Sequence, residues 1–279
     1  MPAARCATRG RGHARCAPRQ IVDRRAPMHG GVVPPTLRSL MRLLWLATVA
    51  PLASAALDWS ALPKPDADGK VVIDSATAGF NATFCHDTVT AADFSPKRSP
   101  QIVHSLASVL FRDKQVVEIG SRIGDGLFCF GQTARNVLTF ELDRTYCGVM
   151  HKRRARFPAT HLTVSCHNYI GAADDLRTTD VVTWWNQPPH LLNQQVLSHL
   201  KNLSASGLLG RDASAVPLFE MRNAHDASEW SKLKQVARRH AVVSFNEQKH
   251  CNTHASGAAR HLCSRSWGTF VVADIPIAS

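Results

Sequence analysis

The chain has 279 residues, 44% hydrophobic and 19% charged. That composition excludes wholesale disorder, and the length suffices for a core without a disulfide framework. The net charge of +12 is uneven: nine arginines and a single acid, Asp23, precede residue 43. The remainder is close to balance and makes no electrostatic case for a nucleic-acid partner.

Residues 1–40 are rich in Arg, Ala, Pro and Gly. Met41-Arg42, the apolar run from Leu43 to Leu52 and the small residues Ala53-Ser54-Ala55 follow in the order of a secretory signal peptide. The run is shorter than the roughly 20 residues of a bilayer span, and Pro51 interrupts it. We therefore expect a leader over 1–55, with 41–55 its signal-like part, no permanent membrane span, and entry to the secretory pathway. The Arg-rich, acid-poor composition leaves plastid or mitochondrial import as the alternative. Beyond Cys6 and Cys16 of the leader, six cysteines remain (Cys85, Cys129, Cys147, Cys166, Cys251, Cys263). An even number suits bridges in an oxidising lumen; the other reading takes Cys129, Cys147 and Cys166 as small buried hydrophobes.

Residues 56–100, punctuated by Pro and Asp, read as an N-terminal extension with one short strand candidate, Val71–Ile73. From residue 101 to 279 a regular pattern sets in. Ile102, Leu106, Val109 and Leu110 share a helical face. Val116–Ile119 is a strand, Leu127–Arg135 a helix, Val137–Leu142 a strand, Tyr146–Phe157 a helix and His161–Cys166 a strand. Asp180–Trp185 is a strand, Leu191–Leu203 a helix, Ala215–Phe219 a strand and Ala227–Arg239 a helix. Val242–Phe245 and Trp267–Val272 close as strands with no helix between them. The pattern predicts an α/β fold: a doubly wound, mostly parallel seven-stranded sheet with a C-terminal antiparallel hairpin at one edge.

In such a sheet ligands bind at the carboxyl ends of the strands, and the first strand–helix turn is the prime position. That turn is Glu118-Ile119-Gly120-Ser121-Arg122-Ile123-Gly124-Asp125-Gly126. Its glycines permit a tight exit and close approach of backbone to a ligand. Glu141, at the end of the next strand, can take the hydroxyls of a ribose. A dinucleotide site wants the spacing G-x-G-x-x-G, whereas this turn is G-x-x-x-G-x-G, and Asp125 at the helix start is expected to repel a pyrophosphate. Glu118, just ahead of the first glycine, suits the ammonium of an amino acid.

Glu118, the glycine turn, Glu141, His167-Asn168 and the run Asp180-Val-Val-Thr-Trp-Trp-Asn-Gln-Pro-Pro resemble the class I S-adenosylmethionine-dependent methyltransferases over about residues 100–275. The resemblance implies S-adenosyl-L-methionine as cofactor. Glu118, Gly120, Ser121, Gly124 and Gly126 would hold its methionine part, Glu141 its ribose, and Asn168, where many members have Asp, its adenine. It places Trp184, Trp185 and Asn186 near the acceptor. The adjacent tryptophans point to opposite faces, one of them to the core. Asn186-Gln187-Pro188-Pro189-His190 departs from the element of amine methylators, so O-methylation of a small molecule, glycan or protein is favoured, with His167, Asp180 and His190 as candidate bases. A nicotinamide-dependent oxidoreductase and an inactive nucleoside-binding relative are the alternatives. His250, Cys251, His254, His261 and Cys263 have spacings zinc could use, but a Cys251–Cys263 bridge is simpler, and no metal is expected.

Overall fold

The computed structural model describes residues 56–74, 84–85, 88, 101–157, 161–186, 191–210, 212–221, 224–246 and 267–278. All lie in one compact unit, Leu52–Ser279. The leader with its signal-like segment, His190 and the His250–Cys263 cluster lie outside the described residues.

Eight strands form a single sheet: β1 (Lys70–Asp74), β2 (Gln115–Ile119), β3 (Asn136–Phe140), β4 (Leu162–Ser165), β5 (Val181–Asn186), β6 (Ser214–Met221), β7 (Arg239–Asn246) and β8 (Trp267–Pro276). Their order is β1-β7-β8-β6-β5-β2-β3-β4, and every pairing is parallel except those of β8 with β6 and β7. The sheet is thus α/β, doubly wound and mostly parallel, as the pattern predicts, with two corrections. There are eight strands rather than seven, and the antiparallel pair is not at the edge. β1 pairs with β7 from Lys70↔His240 to Asp74↔Ser244 and covers an edge that would otherwise invite foreign pairing. So the extension supplies the sheet's outermost strand. The strand is short, and only one side of it is packed: Val71 is 1% exposed and Val72 51%.

The helices are α1 (Gln101–Leu110), α2 (Asp125–Phe130), α3 (Arg144–Arg154), α4 (Ala173–Leu176), α5 (Leu191–Ala205) and α6 (Ala224–Lys234). Successive strand residues face opposite layers. Val116 joins Leu106, Leu110, Leu127 and Phe130 on one face, while Val117 joins Leu176, Val196, Leu200 and Leu233 on the other. That alternation explains why the strands read as continuous apolar runs. α2 is shorter than its pattern suggests: beyond Phe130 the chain tightens into turns in which Gln132 N–H donates to Cys129 O and Thr133 N–H to Phe130 O.

Disulfides join Cys85 to Cys129 and Cys147 to Cys166, so the reading of Cys129, Cys147 and Cys166 as free buried hydrophobes is not the one realised. The first bridge ties the segment ahead of α1 to α2; the second ties α3 to the end of β4. Arg153 adds a polar knot. Its guanidinium pairs with the fully buried Asp125 at 2.6 Å, donates to Ile123 O and Thr88 O at 2.5 Å each, and lies over the Phe128 ring. Among the described residues no helix is long and apolar enough to cross a membrane.

Candidate functional site

From β2 the chain winds outward through β3 and β4, and from β5 in the other direction through β6. The crevice at this reversal is the binding position of open α/β sheets. A cavity of about 690 Å³ lies there, and its wall includes Glu118, Gly120, Ser121, Gly126, Glu141 and Asn168, all predicted from sequence.

The turn is built by its glycines. Gly120 leaves β2 at φ +75° and donates its N–H to Phe140 O at 2.8 Å, a left-handed conformation that is cheap only for glycine. Gly124 has φ +86°, and a Cβ there would meet Met150 Cγ at 2.9 Å; its place is packing beneath the turn. A Cβ on Gly126 would collide with Glu118 Oε1. The Glu118 carboxylate therefore lies over the start of α2, the space a pyrophosphate takes in a dinucleotide site. It also accepts from the Ser121 hydroxyl, which in turn bonds the Thr139 hydroxyl.

Asp125, expected to repel a pyrophosphate, is not part of the cavity wall. It is fully buried and neutralised by Arg153. The Glu118 carboxyl group lies at that point instead.

Glu141 is oriented by the backbone: Arg122 N–H donates to Oε2 at 2.7 Å and Asp143 N–H to Oε1 at 2.9 Å. A carboxylate offers about four acceptor positions, so two remain for vicinal hydroxyls. Arg122, itself at φ +52°, donates to the Tyr146 hydroxyl at 3.3 Å and lies over its ring. Leu142 and Ile170 are 66% and 54% exposed and both line the cavity, giving its wall exposed apolar surface. Asn168 caps a 3-10 turn (Tyr169–Gly171), its Oδ1 accepting from Ile170 N–H at 3.0 Å. The amide NH₂ is what remains for a ligand, so Asn168 is suited to donate to a ring nitrogen where an aspartate would accept from an exocyclic amine.

Other predictions separate. Trp184 is fully buried in the core, its indole N–H donating to Asn193 Oδ1 at 2.8 Å; Trp185 faces the cavity. Asn186 is 2% exposed and is not part of the wall. His167 lines the cavity, with Nδ1 3.4 Å from Ser165 Oγ. Asp180 is a correction. It sits at the amino end of β5, accepting from Gln115 N–H at 2.8 Å and pairing with Arg135 at 3.0 Å, so it stands at the wrong edge of the sheet to be a base.

Sequence reasoning passed over Arg122, Tyr146, Tyr169, Gln195, His104 and His199, which also face the cavity. Gln195 and His199, four residues apart, share a face of α5, and that spacing was available as a signal. His104 is fully buried; desolvation, with the Arg153 charge adding to it, pushes its imidazole down to about 3, so it is neutral. Burial raises the Tyr169 phenol above its ordinary value, and its ring meets His199 edge-on at 5.4 Å.

No protein-family model matches the sequence, and no curated protein is similar enough to be called a relative. Solved structures of like chain path include an rRNA methylase from Streptococcus thermophilus (TM-score 0.42, 9% identity, 64% of this chain and 97% of that one). A precorrin-6y C5,15-methyltransferase from Geobacter metallireducens gives 0.45 at 13% identity, covering 63% and 88%. A SAM-dependent O-methyltransferase from Thermotoga maritima gives 0.42 at 10% identity, covering 66% and 70%. At such identities the likeness is one of fold alone. Counting from β2 as the first strand, the sheet runs third, second, first, fourth, fifth, seventh, sixth, with one strand added at the edge, the order that the sequence resemblance implies.

Proposed function

We propose that this protein is an S-adenosyl-L-methionine-dependent methyltransferase acting on a hydroxyl group of a small molecule, glycan or protein. The observation that carries the cofactor is the Glu118 carboxylate lying over Gly126. It disfavours the phosphates of a nicotinamide dinucleotide and favours the ammonium and sulfonium charges of an adenosyl amino acid. Glu141 has room for two ribose hydroxyls, and the exposed side chains of Leu142 and Ile170 offer apolar surface to the purine. When bound, the cofactor supplies an electrophilic methyl group; the transfer is an in-line displacement that rests largely on positioning and exclusion of water.

On the acceptor side, Trp185 gives an apolar wall and His167 and His199 stand at the cavity as imidazoles for the proton of a hydroxyl. Of the two candidate bases that lie among the described residues, His167 and Asp180, His167 lines the cavity. We further propose that the protein enters the secretory pathway, a reading the two disulfides favour.

The test is a thermal-shift titration of the full chain with S-adenosylhomocysteine and, separately, NAD. The expected result is a shift with the first and none with the second, abolished in Glu141→Ala. A response to NAD alone favours the oxidoreductase. Methyl transfer to phenols, sugars and peptides then selects the acceptor class.

A further inference from the structure

The two disulfides differ in their surroundings. Cys85 and Cys129 are both fully buried. The Cys147–Cys166 bridge joins a buried residue to an exposed one: Cys147 is 2% exposed, whereas Cys166 is exposed, with His151 Nε2 3.3 Å from its Sγ. Thiol–disulfide exchange requires a sulfur that an incoming thiolate can reach, and it proceeds faster when the departing thiolate is stabilised. Only the second bridge among the described residues meets the first condition, and His151, in the tautomer that carries its proton on Nε2, meets the second for the step in which Cys166 departs.

The bridge also stands in a particular place. Tyr146 immediately precedes Cys147, and His167 and Asn168 immediately follow Cys166; all three line the cavity. Tyr146 in turn holds Arg122, whose backbone N–H holds Glu141. One covalent link therefore spans two walls of the cavity, α3 on one side and the end of β4 on the other. Opening it frees Tyr146 and Asn168 to move apart, and Arg122 with them.

We propose that Cys147–Cys166 is a thiol-exchange site through which a dithiol reductant lowers the affinity of the cavity for its nucleoside ligand. The affinity half rests on the cofactor reading above; the exchange half does not. In the first step a thiolate of the reductant attacks Cys166 Sγ, a mixed disulfide forms, and Cys147 leaves as thiolate and takes a proton. In the second step the reductant's other thiolate attacks its own mixed-disulfide sulfur. Cys166 leaves as a thiolate hydrogen-bonded by His151, and the reductant becomes a disulfide. Two electrons pass from the dithiol to the bridge; of the two protons its thiols shed on ionising, one goes to Cys147 and the other to solvent for as long as Cys166 stays a thiolate.

The experiment grades the full chain with dithiothreitol under native conditions. It follows each cysteine by alkylation and mass spectrometry and, in the same samples, measures S-adenosylhomocysteine affinity by calorimetry. Cys147 and Cys166 are expected to label while Cys85 and Cys129 remain bridged, with Kd rising about tenfold as preorganisation is lost. Cys147→Ala/Cys166→Ala is expected to reproduce that rise without reductant, and His151→Ala to slow labelling while leaving affinity in the oxidised protein unchanged. Opening of Cys85–Cys129 first, or of both bridges together, overturns the exchange site. Selective opening with unchanged Kd overturns its control of the cavity. Should the oxidised protein bind no S-adenosylhomocysteine, the cofactor reading fails, and with it the control of the cavity, while the labelling order still decides the exchange.

Discussion

Single residues in the cavity separate binding from stability. A Cβ on Gly126 collides first with the far end of the Glu118 side chain, which has to swing away, and also comes within 3.1 Å of the Phe130 ring, while alanine is favoured over glycine in a helix by about 1 kcal/mol. Gly126→Ala is therefore expected to keep its melting temperature within a few degrees while losing at least tenfold in S-adenosylhomocysteine affinity, both measurable on one preparation. His104 makes the opposite case. Its folded-state value of about 3 lies below the ordinary 6.5, so the unfolded chain binds one more proton across that interval. The stability it contributes is complete above pH 6.5 and is lost as pH falls from there toward 3, at up to about 1.4 kcal/mol per pH unit. His104→Gln is expected to flatten that slope in urea unfolding followed from pH 7 to pH 4. Legibility at this scale followed chemistry. Glu118, Glu141 and the glycines stood out because few other residue types do their jobs at those positions. Asp125 and Asp180 were equally conspicuous, but their charges are spent on Arg153 and Arg135, partners too distant in sequence for any local pattern to reveal.

Between elements, Arg153 connects three parts of the chain: Asp125 of α2, the turn at Ile123 and the backbone of Thr88. The Asp125 side chain is fully buried and that of Arg153 is 13% exposed. Removing one member strands the other's charge out of water, which costs about 3–5 kcal/mol for a buried pair. Arg153→Met is expected to lower stability by that amount in chemical denaturation, and Asp125→Asn/Arg153→Met to recover part of it. The strands of the sheet's interior were visible in sequence because both of their faces are covered, which makes them continuous apolar runs. Helix ends were less so: α6 stops at Lys234 rather than at Arg239, because Arg239 and His240 begin β7. A helical period says nothing about where pairing with a neighbour takes over.

For the whole molecule, the segment before α1 is part of the fold. Leu57, Trp59, Leu62 and Val71 are buried in the same layer as α1 and α2, and β1 completes the pairing of β7. Deleting residues 56–74 is expected to yield a protein that aggregates on size-exclusion chromatography, because it loses those apolar contacts and bares a strand edge. An N-terminal extension was legible from punctuation by Pro and Asp; its role was not, since β1 has a partner some 170 residues further along. The order of the sheet carries a further consequence for how it assembles. β2, β3, β4, β5 and β6 can pair successively as the chain collapses, but β7 pairs with none of them and joins the sheet only through β8, which lies between it and β6. The sheet thus zips from its middle and waits on one late insertion. Refolding should show an early phase in which Trp184 becomes quenched, followed by a slower one set by the arrival of β8.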